Sequence, residues 1–334
     1  MKTGKLADAV YGRSVHKKLK NLPETIFHGA AGDDCAMFSL EAAKAAAITR
    51  QIVYAGEYCG KYGVYAAANQ AAAAGCKTAA LILSLMLPAD APESLLQQIT
   101  EEARTAGEAC GIPVADVSAS VTSLVTAPVL TVTAIGTADP NSIVNSGVRV
   151  KPGMDVVMTK WAGLEGSAIL ADICREQLLT RYPAYLVDDA AGFDRFLSVT
   201  SEIRILSKMQ AALGAEIGAV CAAAEGGIFR ALWTLGVLAG TGLEIRLKKI
   251  PIRQETVEIC NHLDLNPYEL AAGGSLLVIA SQGEALVQEF AKAGIAAAVI
   301  GTVTDNNDRV IVNGEERRFL EPAKADEIFK MTEK

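Results

Sequence analysis

An amphipathic helix closed by a glycine and followed at once by an apolar strand occurs in each half of this chain. That succession points to an α/β architecture more strongly than any other feature. In the first half, Asp90-Ala91-Pro92-Glu93 supplies an N-cap, a proline near the first helical position and a returning glutamate. Leu95, Leu96, Ile99, Ala103 and Ala106 follow at helical spacing, Gly111 is the left-handed stop, and residues 112–117 read as a strand. In the second half, Ser281-Gln282-Gly283-Glu284 caps a helix carrying Leu286, Val287 and Phe290, Gly294 stops it, and residues 295–300 read as a strand. Further strand-length apolar stretches lie at 81–87, 129–135, 155–159 and 276–280. Asn145-Ser146-Gly147 and Lys151-Pro152-Gly153 form a polar, turn-rich stretch between the halves. The domain boundary is therefore expected near Val150, with one domain over 1–150 and a second over 151–334.

Two segments, 42–47 and 66–74, are dense in alanine, the best helix former and a small side chain that permits close approach. Both are read as packed helices.

Several function classes are disfavoured by charge and patterning. With 31 Lys+Arg against 38 Asp+Glu, the formal charge of -7 argues against nucleic acid as a partner. The basic clusters His16-Lys17-Lys18-Leu19-Lys20 and Lys248-Lys249 read as a solvated helix face and a solvated turn. The longest apolar stretch, 79–87, is far short of the roughly 20 residues a bilayer span needs, so no membrane partner is expected. The first residues carry charge without an apolar run and do not read as a secretory signal. Seven scattered cysteines, none at metal-ligand or redox spacing, read as free thiols of a reduced, cytoplasmic compartment.

Four short motifs could carry chemistry. Gly32-Asp33-Asp34-Cys35-Ala36 places two carboxylates beside glycine, an arrangement that can hold magnesium with substrate phosphates, against the alternative of an acidic turn. Residues 159–166, with Lys160, Trp161 and Gly163, run from strand into helix and present backbone N–H groups to an anion, or form a tight turn with Trp161 packed over it. Glu225-Gly226-Gly227 opens another helix, and Gly273-Gly274-Ser275 stands before the strand at 276–280. His16, His28 and His262 form no catalytic set by spacing and read as surface or structural residues, with His28 adjoining the acidic loop.

Taken with Gly4-Lys5-Leu6, Met86-Leu87-Pro88, Val132-Thr133-Ala134-Ile135-Gly136, Ala231-Leu232-Trp233, Ile250-Pro251-Ile252, Gly274-Ser275-Leu276-Leu277, Ala298-Val299-Ile300-Gly301 and Leu320-Glu321-Pro322, these motifs resemble the aminoimidazole ribonucleotide synthase (PurM-like) superfamily. Within it they resemble the branch of the hydrogenase maturation protein HypE. The resemblance covers nearly the whole chain. It implies a two-domain α/β (α+β) fold, with an N-terminal domain that forms a β-barrel with a dimer partner and a C-terminal helix-flanked sheet. It also implies ATP held between glycine-rich loops and acidic residues, with Mg2+ managing phosphate charge.

On that resemblance, Gly32, Asp33, Asp34, Asn69, Lys160, Glu225, Gly226 and Gly227 are the cofactor-binding candidates, and Asp34 is the vestigial metal ligand. The other acidic positions of the family fall on Thr49-Arg50-Gln51, Asn69-Gln70, Asp116-Val117-Ser118-Ala119-Ser120 and Cys221-Ala222-Ala223-Ala224. One acidic position of the five survives in place. Each lost ligand leaves nucleotide charge uncompensated, and such losses typically lower metal affinity or activity roughly 10–100-fold each. Arg50 is read as a surface salt-bridge residue, with direct pairing to a phosphate as the alternative. The reactive cysteine of the family's C-terminal tail is absent; the last cysteine is Cys260. The pattern points to a homodimeric binding or scaffold protein with a decayed nucleotide site, no catalytic residues, a neutral or cationic small molecule in the former cleft, and a maturation-type protein partner. The alternative is an ATP-dependent enzyme, by phosphoryl transfer or ATP-driven dehydration, in which Asp33, Asp34, Asp116 and Glu225 act as rearranged ligands.

Overall fold

The computed structural model describes residues 26–28, 35–40, 43–138, 150–213, 216–321 and 325–332. The chain divides into two compact units, 1–140 and 141–334.

The first unit is built on a six-stranded sheet in the order β1-β2-β3-β6-β4-β5. Its strands are β1 (Ile26–His28), β2 (Cys35–Leu40), β3 (Ala43–Ile52), β4 (Cys76–Pro88), β5 (Val114–Thr122) and β6 (Val129–Ala138). All neighbours are antiparallel except β4 and β5, which run parallel. That pair needs a crossover, and α2 (Glu93–Cys110) supplies it. Pro92 is the N-cap of α2, two residues later than the sequence suggested, and Gly111 ends the helix in the left-handed conformation (φ 71°) as expected. Leu95, Ile99, Ala103 and Ala106 form its buried stripe.

Leu81, Leu83, Leu85 and Leu87 alternate with exposed residues along β4, and their buried side meets Ile48, Ile52, Leu130, Val132 and Ala134. Each buried leucine contributes about 1.5–3 kcal/mol relative to exposure. The alanine-rich helix α1 (Cys59–Ala73) packs on this sheet and on α2. At Gly60 a Cβ would stand 2.2 Å from the Ile99 carbonyl oxygen, so only glycine allows the helices this close.

The first alanine-rich segment departs from expectation. Residues 43–47 belong to β3, in register with β2 on one side (Ala45 opposite Phe38) and β6 on the other (Ala45 opposite Thr137). Two flanking strands outweigh alanine's helix propensity, which is a weak prior. Arg50 is also not a surface residue: it lies on β3 among the core positions and is 6% exposed. Among the described residues the sheet is open, with β1 and β5 at its edges, and does not by itself close the expected barrel.

The second unit is a seven-stranded sheet in the order β13-β12-β9-β11-β7-β10-β8. It comprises β7 (Asp155–Thr159), β8 (Ile217–Ala222), β9 (Leu243–Arg246), β10 (Leu276–Ala280), β11 (Ala297–Val303), β12 (Arg309–Asn313) and β13 (Glu316–Phe319). Only β9 and β12 pair in parallel. Every residue of β10 is buried, as the continuous apolar run implies. On one face α7 (Gly227–Ala239) sends Ile228, Leu232 and Leu235 into a core with Val156, Met158, Leu277, Ile279 and Ile300. The helix α9 (Gly283–Lys292) packs against β7 and β11 with Leu286 and Phe290 buried. Its first N–H, on Gly283, is capped by the Asp155 carboxylate at 3.0 Å. The remaining helices are α3 (Leu164–Ile173), α4 (Arg175–Leu179), α5 (Ala184–Ala191), α6 (Thr200–Leu213), α8 (Gln254–Leu263) and α10 (Phe329–Thr332). No helix among the described residues is long and apolar enough to cross a membrane.

Candidate functional site

The glycine-bearing turns of the second unit converge on one loop, residues 271–275, which runs into β10. The strand-to-helix turn after β7 approaches it first. Lys160 has left-handed backbone (φ 55°), unusual for a side chain of its size. Its ammonium donates to the Ser198 carbonyl at 2.7 Å and the Gly274 carbonyl at 2.8 Å, and pairs with Glu202 Oε1 at 2.7 Å. Lys160 is 6% exposed and Glu202 1%. Burial lowers the lysine pKa, and Glu202 opposes that fall. The ammonium thus gives hydrogen bonds to two backbone carbonyls and has its charge met by a buried carboxylate of the same chain.

The Trp161 ring packs on the 192–196 segment, with Phe193 and Phe196 edge-on at 5.0 and 5.2 Å. The Arg253 guanidinium covers its ring at 5.0 Å. Its carbonyl accepts the Ser275 hydroxyl at 2.8 Å. At the start of α3, Glu165 is 2% exposed and its Oε2 accepts the Gly273 N–H at 3.1 Å. A Cβ on Gly273 would stand 2.5 Å from that same oxygen.

The Glu225-Gly226-Gly227 turn at the head of α7 reaches the other end of the loop. Gly226 (φ 87°) and Gly227 (φ 65°) are both left-handed. A Cβ on Gly227 would lie 2.5 Å from the Tyr268 carbonyl and 2.7 Å from that of Leu270, so glycine is required there by the chain's own backbone. The N–H of Gly226 donates to Asp326 Oδ2 at 2.5 Å, and the N–H of Ala271 donates to Asp326 Oδ1 at 3.2 Å. Asp326 is 2% exposed. Burial pushes its carboxyl up to about 8, and Glu225 adds to the rise. The bonds from Ile328, Gly226 and Ala271 pull the other way.

Lys160 and the 225–227 turn are therefore brought to one loop, through Gly274 and, by way of Asp326, Ala271. Asn69 belongs to the first unit, where it is 3% exposed on α1. Gly32, Asp33 and Asp34 lie outside the described residues, as does His16. Asp116 is exposed on β5, and residues 116–120, read as the counterpart of a phosphate loop, are a strand in register with β4. His28 closes β1. His262 sits on α8 against Tyr182, with no hydrogen-bond partner for its buried Nε2 among the described residues, a structural placement. Cys59, Cys76, Cys110, Cys174, Cys221 and Cys260 are free thiols, and burial pushes Cys59 and Cys260 up to about 12.

Asp326 is not among the candidates that the sequence motifs point to. The available signal was an acid directly ahead of Ile328-Phe329 in an otherwise charged and alanine-bearing end.

An ATP–Mg2+ pair would need free N–H groups and several carboxylates around one cation. The N–H groups of Gly226, Ala271 and Gly273 already face the carboxyl groups of Asp326 and Glu165, and the glycine cradles hold the chain's own atoms. Among the described residues no group of three His, Cys, Asp or Glu side chains could hold a metal ion.

Comparison with known proteins matches residues 32–138 to the AIR synthase related protein N-terminal domain and residues 151–313 to the AIR synthase related protein C-terminal domain. The chain is 27% identical over 286 residues to the hydrogenase expression/formation protein HupE of Azotobacter chroococcum mcd 1, covering 81% of this chain and 79% of that protein. It is 26% identical over 269 residues to the carbamoyl dehydratase HypE of Azotobacter vinelandii, covering 78% and 74%. Among solved structures, the hydrogenase maturation protein HypE in complex with ATP superposes with a TM-score of 0.68 at 18% identity, over 98% of this chain and 97% of that one. A chain of a HypE–HypF complex does so at 0.67 and 19%, over 86% and 92%. The structural likenesses carry the fold, the PurM-like mixed α/β arrangement expected from the resemblance.

Proposed function

Because this chain belongs to the AIR synthase related protein family, we propose that it serves in HypE-like hydrogenase maturation as a binding or scaffold protein that works without ATP. The observation that carries this reading is the occupation of its glycine turns from within: Asp326 and Glu165 sit where bare N–H groups would otherwise meet an anion. A phosphate brought to the Gly226 turn would have to displace the Asp326 carboxyl from the Gly226 N–H and would then lie beside Glu225, with the loss of a buried hydrogen bond.

Isothermal titration with ATP, with and without Mg2+, beside AMP and a metal-only control, tests this. Folded protein is expected to give no nucleotide heat at millimolar concentration. Tight Mg2+-dependent ATP binding would overturn the reading in favour of an ATP-dependent enzyme, and its loss in Asp34→Asn would locate the site on the acidic loop. A maturation-type protein partner is the expected binding target, by analogy with the HypE–HypF complex among the structural neighbours.

The same reading includes a homodimer formed through the first unit. Helices α1 and α2 cover one side of its sheet, while Ile82 (39%), Met86 (40%) and Ile135 (38%) are exposed from the strands on the other. In register they lie among Thr133, Ser84 and Val129, a face of apolar and hydroxyl groups suited to a second sheet. Light scattering on a sizing column is expected to give twice the 35.0 kDa chain mass. Ile82→Arg with Met86→Arg is expected to halve it, because two charges would be buried unpaired. A wild-type monomer would sink the dimer.

A further inference from the structure

The strand β13 ends the second sheet, and among the described residues no strand pairs with its outer side. The ladder to β12 decides which backbone groups lie there. The Leu320 N–H donates to the Arg309 carbonyl at 2.8 Å, so the antiparallel alternation makes 311/318 and 313/316 the next hydrogen-bonded pairs. Arg317 and Phe319 therefore turn their N–H and C=O groups to the open side. We propose that this edge takes an extended acidic segment of a protein partner as an added strand, with a carboxylate beside Arg318 and an apolar side chain against Phe319. The edge thereby becomes the docking surface for the protein partner proposed above, and its role rests on that reading.

The two faces of this edge differ in chemistry. On the side of α7, the exposed Arg318 lies over the Phe229 ring at 5.8 Å, and Tyr268 stacks on Phe229 at 5.2 Å. One strand further in, Arg309 covers Trp233 of the same helix at 4.6 Å, and its buried Nε has no acceptor among the described residues. A guanidinium laid flat on an aromatic ring keeps its N–H edge free for a carboxylate. On the opposite face Arg317 pairs with Glu244 at 2.8 Å, Arg246 stands in register with Val312, and Phe319 is 68% exposed. Within a chain of formal charge -7, this edge thus bears Arg246, Arg309, Arg317 and Arg318, and among the described residues only Arg317 of these is in an ion pair. The nearby acids stand at its ends, Asp308 ahead of β12 and Glu315 and Glu316 at the hairpin turn.

Only another backbone satisfies the outward N–H and C=O groups, which makes the occupant a peptide rather than a small anion. Successive side chains of an added strand go to opposite faces, so acidic and apolar residues must alternate. The acids then lie beside Arg318 and the apolar residues beside Phe319. A second copy of this chain does not fit: two β13 edges side by side would set Arg317 and Arg318 against the same residues of the other copy, and like charges across strands repel.

Fluorescence anisotropy of the full chain with a labelled, alternating Glu-Val peptide at physiological ionic strength tests the edge. Binding is expected, and Arg318→Ala should weaken it about 10-fold or more, the worth of one charge-assisted hydrogen bond. Arg317→Pro, which removes an outward N–H without touching the β12 ladder, should abolish binding, whereas Arg317→Ala, which keeps that N–H, should bind nearly as well as the wild type. If the proline variant does not fold, the peptide N-methylated at its valines makes the same test, because those N–H groups would face β13. A peptide of the same composition with its glutamates in one block, and a single-stranded oligonucleotide, supply charge without the alternation. No binding, equal binding by either control, equal effects of proline and alanine, or undiminished binding of the N-methylated peptide would overturn the proposal. Heat from ATP in the titration above would instead overturn the nucleotide-free reading and leave the peptide result standing.

Discussion

Replacing Lys160 by methionine is expected to destabilise the second unit by about 3–5 kcal/mol. The side chain would still fill its space, so the loss isolates the charge. Glu202, 1% exposed, would be left as an uncompensated carboxylate. The carbonyls of Ser198 and Gly274 would lose a buried donor, each such group costing about 1–3 kcal/mol when left unmet. Domains are stable by about 5–15 kcal/mol, so this one change removes a large part of the margin. Urea unfolding followed by tryptophan fluorescence reads the result selectively, because Trp161 and Trp233, the two tryptophans of the chain, both lie in the second unit. Combining Lys160→Met with Glu202→Leu should recover at least half of the loss, since a neutral pair no longer carries a stranded charge. A single-variant shift below about 1 kcal/mol would mean that the ion pair does not hold the turn.

Gly227→Ala is expected to cost about 3 kcal/mol, from two sources that can be separated. Left-handed backbone accounts for about 1–2 kcal/mol in any residue with a Cβ. The remainder is collision with the Tyr268 and Leu270 carbonyls, which cannot retreat freely because the Tyr268 oxygen already accepts the Phe229 N–H at 3.1 Å. Gly240→Ala provides the comparison: it has nearly the same φ (64°) at the other end of α7 and nothing within 4 Å of the added carbon. The difference between the two variants measures the steric part, and equal losses would refute the close approach.

Much of the framework was legible because it depends on local chemistry. The apolar runs at 155–159 and 276–280 became β7 and β10 with the same limits, and Gly111 and Gly294 adopt the left-handed stops their positions implied. Where neighbours from afar decide, the reading failed. Residues 43–47 are alanine-rich, yet β2 and β6 flank them and make them strand. Residues 116–120, which the resemblance makes the counterpart of a phosphate loop, align with β4 over their full length. Asp326 was the least legible, since its role arises only when a residue near the chain's end meets a glycine turn a hundred positions earlier. Nothing in the local sequence of either segment specifies that meeting.

The strand order of the second sheet also governs how the chain is made. β7 lies between β10 and β11, so its partners leave the ribosome roughly 120 residues after it does. At ordinary rates of synthesis that interval is about 6–24 s. Throughout it, an apolar strand has no ladder partner on either side and is exposed to non-native pairing, a hazard typical of sheets assembled from distant segments. Production of the second unit should therefore respond more to chaperone supply and growth temperature than production of the first, whose β4, α2 and β5 follow one another directly.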